Sequence, residues 1–262
     1  RNAFKNLGLN IQVSDINSKD KEDHIIENSD WIILTVPINE TLKVFKNIKN
    51  KIKKNQIFSD FTSVKSILAN DINNCNFEFI SCHPLFGPLN NLKGQNIVTI
   101  PIVSKEKHPL IIEVFEKIGL KITELKSFKE HDEYMSLIQG MTHFSHVCFT
   151  TAMKKLNPDL DKIMEICSPI YQSNISFSSR ITGGDENLYT NIIMDNPLNK
   201  KVIELYLETA KELFEKIKID DHESFKKNFV ENRKYLKNHL NKMINQSDFL
   251  VNKMAEFKNK PK

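Results

Sequence analysis

Glycine is scarce in this sequence, which has 7 glycines among 262 residues. None of them belongs to a G-x-G-x-x-G loop, with which dinucleotide-binding domains hold a pyrophosphate at the start of a helix. A complete domain of that kind is therefore excluded within these residues. Arginine is scarcer still, since only Arg1, Arg180 and Arg233 are present, so a site that needs a guanidinium group has few candidates.

Cysteine is also rare, and the 4 cysteines form no C-x-x-C pair and no zinc-ligand spacing with the histidines. We expect them to be reduced thiols in a cytosolic protein. No apolar run approaches the roughly 20 residues that a membrane span needs, and no signal peptide is visible. The net charge of +4 comes from lysines spread over the whole chain, which indicates solvated helix faces and predicts no nucleic-acid or membrane partner.

Up to about Lys126, apolar runs of strand length alternate with patterns of helical period. This alternation is typical of βαβ units and predicts a mostly parallel sheet in a Rossmann-like α/β domain over residues 1–126. The predicted strands are residues 10–14, 31–37, 56–61, 77–80, 96–103 and 120–125. The predicted helices are residues 1–7, a short polar helix around residues 25–26, residues 39–52, a segment from residue 64, and residues 110–118.

From Ser127 onward the sequence contains no convincing strand, and long helical patterns take over. These patterns predict a second, all-helical domain over residues 127–262. The helices carry more apolar positions than the core of one small bundle can bury, so we expect a homodimer that forms through this domain. The predicted helices are residues 130–155, 162–175, 187–194, 197–217 and 222–257.

Asp15 follows the strand predicted at residues 10–14. An acidic residue that ends the second strand of a dinucleotide-binding unit binds the ribose hydroxyls, and its charge repels the extra phosphate of NADP, so Asp15 favours NAD. Because the first helix already begins at Arg1, we expect the first strand and the glycine loop to lie just upstream. The alternative that Asp15 is an ordinary turn residue stays open.

His83 stands where an apolar strand should end, before a turn rich in proline and glycine that reaches Pro88. In an open α/β sheet the carboxyl ends of the strands face the ligand crevice. This position makes His83 the best single candidate for catalysis. The alternative is a turn residue that is hydrogen-bonded to nearby backbone.

Several stretches of the sequence, in order from the first residue to about residue 240, resemble the prephenate dehydrogenase family. The resemblance is greatest to the dehydrogenase part of the bifunctional chorismate mutase–prephenate dehydrogenases (T-proteins). It implies NAD-dependent oxidative decarboxylation of prephenate to 4-hydroxyphenylpyruvate in tyrosine synthesis, and it raises the question of feedback by tyrosine. The stretches are residues 30–38, 60–65, 82–88, 130–132, 138–144, 168–171 and 188–194.

The resemblance also implies roles for individual residues. His83 would accept the proton of the ring hydroxyl, with Ser63 orienting either the histidine or the hydroxyl. Arg180 would bind a substrate carboxylate through its guanidinium fork. The candidates for the substrate pocket also include three residues of one predicted helix, His131, Gln139 and His143. The alternative for each of them is a polar residue that is satisfied at a domain interface. The candidates for cofactor binding are Asp15, Thr35, Val36 and Pro37.

Two departures from the family pattern bear on the substrate site. Gln172 stands where T-proteins often carry an arginine, which leaves a second positive contact open, and Ser179 replaces a glycine before Arg180. An arogenate dehydrogenase and a non-catalytic dimeric binding module with a degenerate cofactor domain both stay open. A 3-hydroxy acid dehydrogenase would need a catalytic lysine early in the helical domain, and residues 130–141 contain none.

Overall fold

The computed structural model of the chain describes residues 1–18, 21–72, 75–87, 91–103 and 106–258. It divides into two compact units, of which the first contains Arg1–Ile138 and Thr190–Leu198. The second contains Gln139–Tyr189 and the chain from Asn199 onward. Residues 127–138 therefore belong to the first unit by their contacts, whereas the predicted domain boundary at residue 126 stays a prediction.

The first unit is built on a five-stranded sheet with the strand order β1-β2-β3-β4-β5. The pair β3–β4 is antiparallel, and the other neighbouring pairs are parallel. This mostly parallel sheet confirms the predicted Rossmann-like α/β class. The strands are β1 Trp31–Leu34, β2 Ile57–Asp60, β3 Glu78–Pro84, β4 Asn96–Val103 and β5 Lys121–Glu124.

Five described helices accompany this sheet in the first unit, and the sequence explains where one of them, α4 (His108–Ile118), ends. Gly119 adopts φ +89°, a left-handed conformation that glycine tolerates without a steric cost, and it caps the C-terminus of α4. The helices are α1 Asn2–Asn6, α2 Glu22–Glu27, α3 Ile38–Ile48, α4 His108–Ile118 and α5 Phe128–Met135, with 3₁₀ turns at Lys49–Lys51 and Ser66–Leu68.

Two apolar layers cover the faces of the central strands. On one face, Phe58 of β2 and Phe79 of β3 pack with Phe45 of α3, at ring-centroid distances of 4.9–5.9 Å. Neighbouring residues on the same strands point the other way, so Ile57 and Ile80 lie in the cluster that includes α4. Burial of β2 and β3 on both faces holds their carboxyl ends in place.

Two local predictions for the first unit are wrong. Residues 10–14 form no strand, and Val13 is 54% exposed, because alternation stabilises a strand only where a neighbouring strand supplies hydrogen bonds. The helix predicted from residue 64 is reduced to the turn Ser66–Leu68, since Lys65 is bonded to groups on both adjacent strands. Pro88, at the end of the turn after His83, lies outside the described residues.

The second unit is entirely helical in its described part, which confirms the predicted class. Three of the predicted helices are each divided into two. A π-helical turn, Ser136–Met141, separates α5 from α6, and a new helix, α8, begins after Ser168, whose side chain accepts from the N–H of Tyr171. The last predicted helix is interrupted by a 3₁₀ turn that begins at Lys237. No helix of the described residues is long and apolar enough to cross a membrane. The helices are α6 Thr142–Leu156, α7 Leu160–Ile166, α8 Pro169–Thr182, α9 Glu186–Asp195, which contains the unit boundary, α10 Asn199–Lys218, α11 His222–Leu236 and α12 Leu240–Lys258.

Candidate active site

The carboxyl ends of β1, β2 and β3 meet at one edge of the sheet, and most of the candidate residues in the first unit lie there. Leu34 of β1 is in register with Asp60 of β2, and β3 runs parallel to β2. This register places residues 35–37, residues 61–65 and His83 along one edge. It is the edge at which open α/β sheets bind their ligands.

A buried ion pair stands behind this edge. The Nζ of Lys65 donates to Asp60 Oδ1 at 2.5 Å and to the backbone carbonyl of Cys82 at 2.7 Å, and both charged side chains are 0% exposed. Asp60 Oδ2 accepts from the hydroxyl of Ser81 at 2.5 Å. Lys65 thus ties the end of β2 to the residue that precedes His83, with its charge compensated.

His83 belongs to a buried chain of three polar side chains. Its Nδ1 lies 2.8 Å from Nε2 of His131, and Nδ1 of His131 lies 2.8 Å from Oδ1 of Asp132. The two histidines are 2% and 0% exposed and Asp132 is 1% exposed. The backbone N–H groups of Lys65 and Ser66 donate to the two oxygens of Asp132, at 3.0 and 2.8 Å.

The surroundings of His83 favour its neutral form. Burial lowers the pKa of His83 well below the ordinary histidine value, and His131 and Lys65 lower it further. Burial also lowers the pKa of His131 and outweighs the opposing effect of its hydrogen bond to Asp132. A neutral imidazole at the ligand edge can accept a proton, which is the chemistry of a general base.

Cys82 precedes His83 but does not form a nucleophilic pair with it. Successive side chains of a strand point to opposite faces, and Cys82 lies in the apolar cluster beside α4. Burial raises the pKa of its thiol to about 12, so the thiolate needed for nucleophilic attack is not formed near neutral pH.

Three cofactor candidates directly follow β1. Thr35 and Pro37 are exposed and Val36 is half-buried. Asp15 is exposed, and its Oδ1 accepts from the N–H of Asn17 at 2.8 Å, so its carboxylate is accessible but engaged in a local turn. At the same edge, Oγ1 of Thr62 is buried and has no hydrogen-bond partner within the described part of the chain.

Ser63 and His131 differ in their relation to His83. Ser63 is half-buried at the ligand edge, and the described residues contain no hydrogen-bond partner for its hydroxyl. His131 is fully buried, with both ring nitrogens engaged by His83 and Asp132. The structure therefore brings His131, rather than Ser63, against His83.

Gln139 and His143 belong to the second unit. Gln139 is half-buried in the π-helical turn, and a Cβ added to the adjacent Gly140 would collide with the side chain of Asn199. His143 lies edge-on to Tyr189, with ring centroids 5.1 Å apart, and burial lowers its pKa. Because the π-helical turn interrupts the predicted helix, the spacing argument that placed His131 on the same face as these residues does not apply.

Arg180 lies in the last turn of α8, where it is exposed. Its guanidinium forms no ion pair or hydrogen bond with another residue in the described ranges. Two residues earlier, the buried Ser178 lies 2.8 Å from Nδ1 of His146. His146 thus connects α6 to the turn that carries Arg180, a contact that sequence reasoning missed.

Sequence reasoning also missed Asp60, Lys65 and Asp132 as individual site residues. Each stands in a stretch that carries the family resemblance, and a charged residue that directly ends an apolar strand was an available signal for Asp60. The described residues contain no cluster of histidine, cysteine or carboxylate side chains that could hold a metal ion.

Comparison with known proteins identifies both parts of the chain. Residues 2–123 match the nucleotide-binding domain of prephenate dehydrogenase, and residues 127–231 match its dimerization domain. A probable arogenate/prephenate dehydrogenase of Methanocaldococcus jannaschii is 30% identical over 242 residues, which are 90% of this chain and 52% of the relative. The T-protein of Haemophilus influenzae is 27% identical over 253 residues, 96% of this chain and 67% of that protein.

The chain therefore spans about half the length of the first of these two curated relatives and about two thirds of the second. Among solved structures, the prephenate dehydrogenase of A. aeolicus in complex with hydroxyphenyl propionate and NAD⁺ has the same fold. It superposes with a TM-score of 0.63 and 18% identity, and the match covers 88% of this chain and 82% of that structure.

Proposed function

Since this chain belongs to the prephenate dehydrogenase family, we propose that the complete protein oxidatively decarboxylates prephenate to 4-hydroxyphenylpyruvate with NAD. The observation that carries the proposal is the buried His83 at the ligand edge of the sheet, held through Nδ1 by His131. A general base in this place is what oxidation of a ring hydroxyl requires.

The proton and the electrons balance with one base. His83 accepts the proton of the ring hydroxyl as hydride leaves the carbon that bears it, and loss of CO₂ then makes the ring aromatic. The phenolate formed takes the proton back from His83, so no net proton is released. Aromatisation drives the decarboxylation, and the protein mainly positions the substrate.

Prephenate carries two carboxylates, which require cationic or hydrogen-bonding partners. Arg180 is proposed to bind one of them, because its exposed guanidinium, which no other described residue engages, can form two parallel hydrogen bonds with a carboxylate. Gln139 and His143 are proposed to line the substrate pocket, and Ser63 is proposed to contact the substrate hydroxyl near His83.

The residues at the edge of the sheet fit a dinucleotide. NAD, when bound, supplies the hydride acceptor. Asp15 is proposed to bind the ribose hydroxyls, and residues 35–37 to contact the cofactor at the end of β1. The buried hydroxyl of Thr62, which lacks a partner in the described part of the chain, offers a further polar contact.

The match to a dimerization domain supports a homodimer of the complete protein. Arogenate dehydrogenase is the second candidate function, since the name of the Methanocaldococcus jannaschii relative includes both substrates. Arogenate bears an amino group where prephenate has a keto group, and the catalytic demands on His83 are the same for both. The proposal therefore separates the reaction class from the choice of substrate.

The test is an assay of the complete protein, produced from its full coding sequence. Absorbance of the reduced cofactor is followed with prephenate or arogenate, each with NAD and with NADP, and with tyrosine added to detect feedback. We expect reduction of NAD with prephenate. Turnover of arogenate alone would change the substrate, and no turnover under any condition would contradict the proposed enzyme.

In the same assay, we expect Arg180→Ala to raise the KM for prephenate by about 10- to 100-fold, because a hydrogen bond to a charged group contributes about 1.5–3 kcal/mol. Arg180→Lys should recover part of this loss, since lysine keeps the charge without the fork. Arg233→Ala on α11 is the matched control, because Arg233 is also exposed. An unchanged KM for Arg180→Ala would remove Arg180 from the substrate site.

A further inference from the structure

The contacts of Asp132 determine which of its neighbours donates a hydrogen bond. Its two oxygens accept the backbone N–H groups of Lys65 and Ser66. Burial alone raises the pKa of Asp132, but the hydrogen bonds from His131 and from these N–H groups outweigh it and lower the pKa. Asp132 is therefore an ionised, acceptor-only carboxylate, so Nδ1 of His131 must carry the proton that lies between them.

This assignment propagates along the chain of side chains to His83. A neutral imidazole has one donor and one acceptor nitrogen, so a proton on Nδ1 of His131 makes its Nε2 an acceptor. The partner of this Nε2 is Nδ1 of His83, 2.8 Å away, which must then be the donor. The remaining nitrogen of His83, Nε2, carries the lone pair.

We propose that Asp132 and His131 are positioning residues that hold His83 in the tautomer whose Nε2 accepts the proton of the substrate hydroxyl. This inference rests on the proposed function, because it assigns the base of that reaction to one nitrogen atom. The logic is that of an orienting carboxylate in a catalytic triad, with a second histidine placed between the carboxylate and the base.

The same chain stabilises His83 after it has taken up the proton. Lys65, whose charge lowers the pKa of His83, is paired with Asp60, and the carboxylate of Asp132 lies behind His131. Because Asp132 is bonded to His131 and His131 to His83, the negative charge at the end of this chain favours the imidazolium of His83. Neither Asp132 nor His131 has to touch the substrate for this effect.

The substitution Asp132→Asn tests the assignment. An amide that keeps its oxygen on the N–H of Ser66 gives up the bond from Lys65 N–H and turns its NH₂ group to Nδ1 of His131. This orientation reverses every donor and acceptor up to His83 and puts a proton on Nε2. A carboxylate-to-amide change in the Ser-His-Asp triad costs about 10⁴ in kcat through the wrong tautomer. With His131 in between, we expect a loss on the order of 10²-fold in kcat and little change in the KM for prephenate.

A second pair of variants covers the case in which Asp132→Asn fails to fold. His131→Gln keeps an acceptor near the position of Nε2, whereas His131→Met has a similar volume and no comparable acceptor. We expect His131→Gln to retain about 10-fold more kcat than His131→Met, which is the range of one hydrogen bond of roughly 1.5 kcal/mol. Equal kcat values for these two variants would overturn the proposal.

A double variant separates positioning from a merely structural role. In a His83→Asn background, Asp132→Asn should reduce kcat no further, because residues that act as a unit are not additive. A structural role predicts a further loss in the double variant, and that result would also overturn the proposal. Asp71→Asn, which removes a partly exposed carboxylate paired with Lys46, is the control.

The tautomer of His83 can be read without any turnover. Nitrogen-15 NMR of the complete protein with labelled histidine should show the proton of His83 on Nδ1, and Asp132→Asn should move it to Nε2. If the wild-type protein reduces no cofactor, the proposed function fails while this measurement still tests the chain. A wild-type proton on Nε2 of His83 would contradict the inference even in an active enzyme.

Discussion

His83→Asn is expected to lower kcat by about 10²- to 10⁴-fold, the usual contribution of a general base. Asparagine can place its side-chain NH₂ near the position of Nδ1 and so keep the contact with His131, but it has no counterpart of Nε2. The KM for prephenate should therefore change little, since the substrate is bound by other groups. Steady-state kinetics of the complete protein with prephenate and NAD measure both constants.

His108→Asn is the matched control for this substitution. His108 is a buried histidine of the same unit, and its Nδ1 lies 3.3 Å from Glu124 on β5, away from the ligand edge. Its replacement should leave kcat within a few-fold of the wild-type value. If His83→Asn turned over at a rate close to that of His108→Asn, His83 would not be the base.

The pH dependence of kcat/KM follows from the same histidine. Burial, His131 and Lys65 lower the pKa of His83, so its basic form persists below the ordinary histidine value of about 6.5. Activity should therefore hold as pH falls to that value and decline only at lower pH, when the base becomes protonated. In His131→Gln one of the causes that lower the pKa is removed, and the decline should begin at higher pH.

Lys65→Met is expected to destabilise the first unit by about 3–5 kcal/mol, because it leaves the charge of Asp60 buried without its partner. Two neighbours reduce this loss of stability, since Asp60 also accepts hydrogen bonds from the hydroxyl of Ser81 and from the N–H of Thr62. Urea denaturation measures the effect. Trp31, the single tryptophan of the chain, lies on β1 and bonds to Ser59, so its fluorescence follows this unit.

A double variant and a surface control identify the cause of this loss. Adding Asp60→Asn to Lys65→Met should recover part of the stability, because no unpaired charge is then buried. Lys46→Met breaks the half-exposed pair with Asp71, and exposed pairs contribute only about 0–1 kcal/mol. Equal losses for Lys65→Met and Lys46→Met would mean that the buried pair does not stabilise the fold.

The strands of the sheet were accessible to sequence reasoning because period-two and continuous apolar runs indicate burial, whereas the order of the strands was not predicted. The predicted strand at residues 96–103 coincides with β4. His83 was recognised because a strand end followed by a proline-rich turn is a local pattern. The strand predicted at residues 10–14 is wrong, since pairing depends on a neighbour that the alternation of side chains does not specify.

The contacts that define the site could not be read from the sequence. His83 and His131 are 48 positions apart, and Lys65 and Asp132 are 67 positions apart, so only tertiary packing joins them. His131 was predicted as a candidate site residue, but the prediction that it lines the substrate pocket with Gln139 and His143 assumed an uninterrupted helix. The π-helical turn Ser136–Met141 removes that assumption, and helical periodicity contains no signal for it.

The buried pair of Asp60 and Lys65 restricts how this protein could be engineered for heat resistance. Replacing buried ion pairs with apolar residues of similar volume is often neutral or stabilising, which makes such pairs attractive targets. Here the Nζ of the same lysine also donates to the backbone carbonyl of Cys82, the residue that precedes His83. A more apolar core at this position would release that carbonyl and would therefore trade activity for stability.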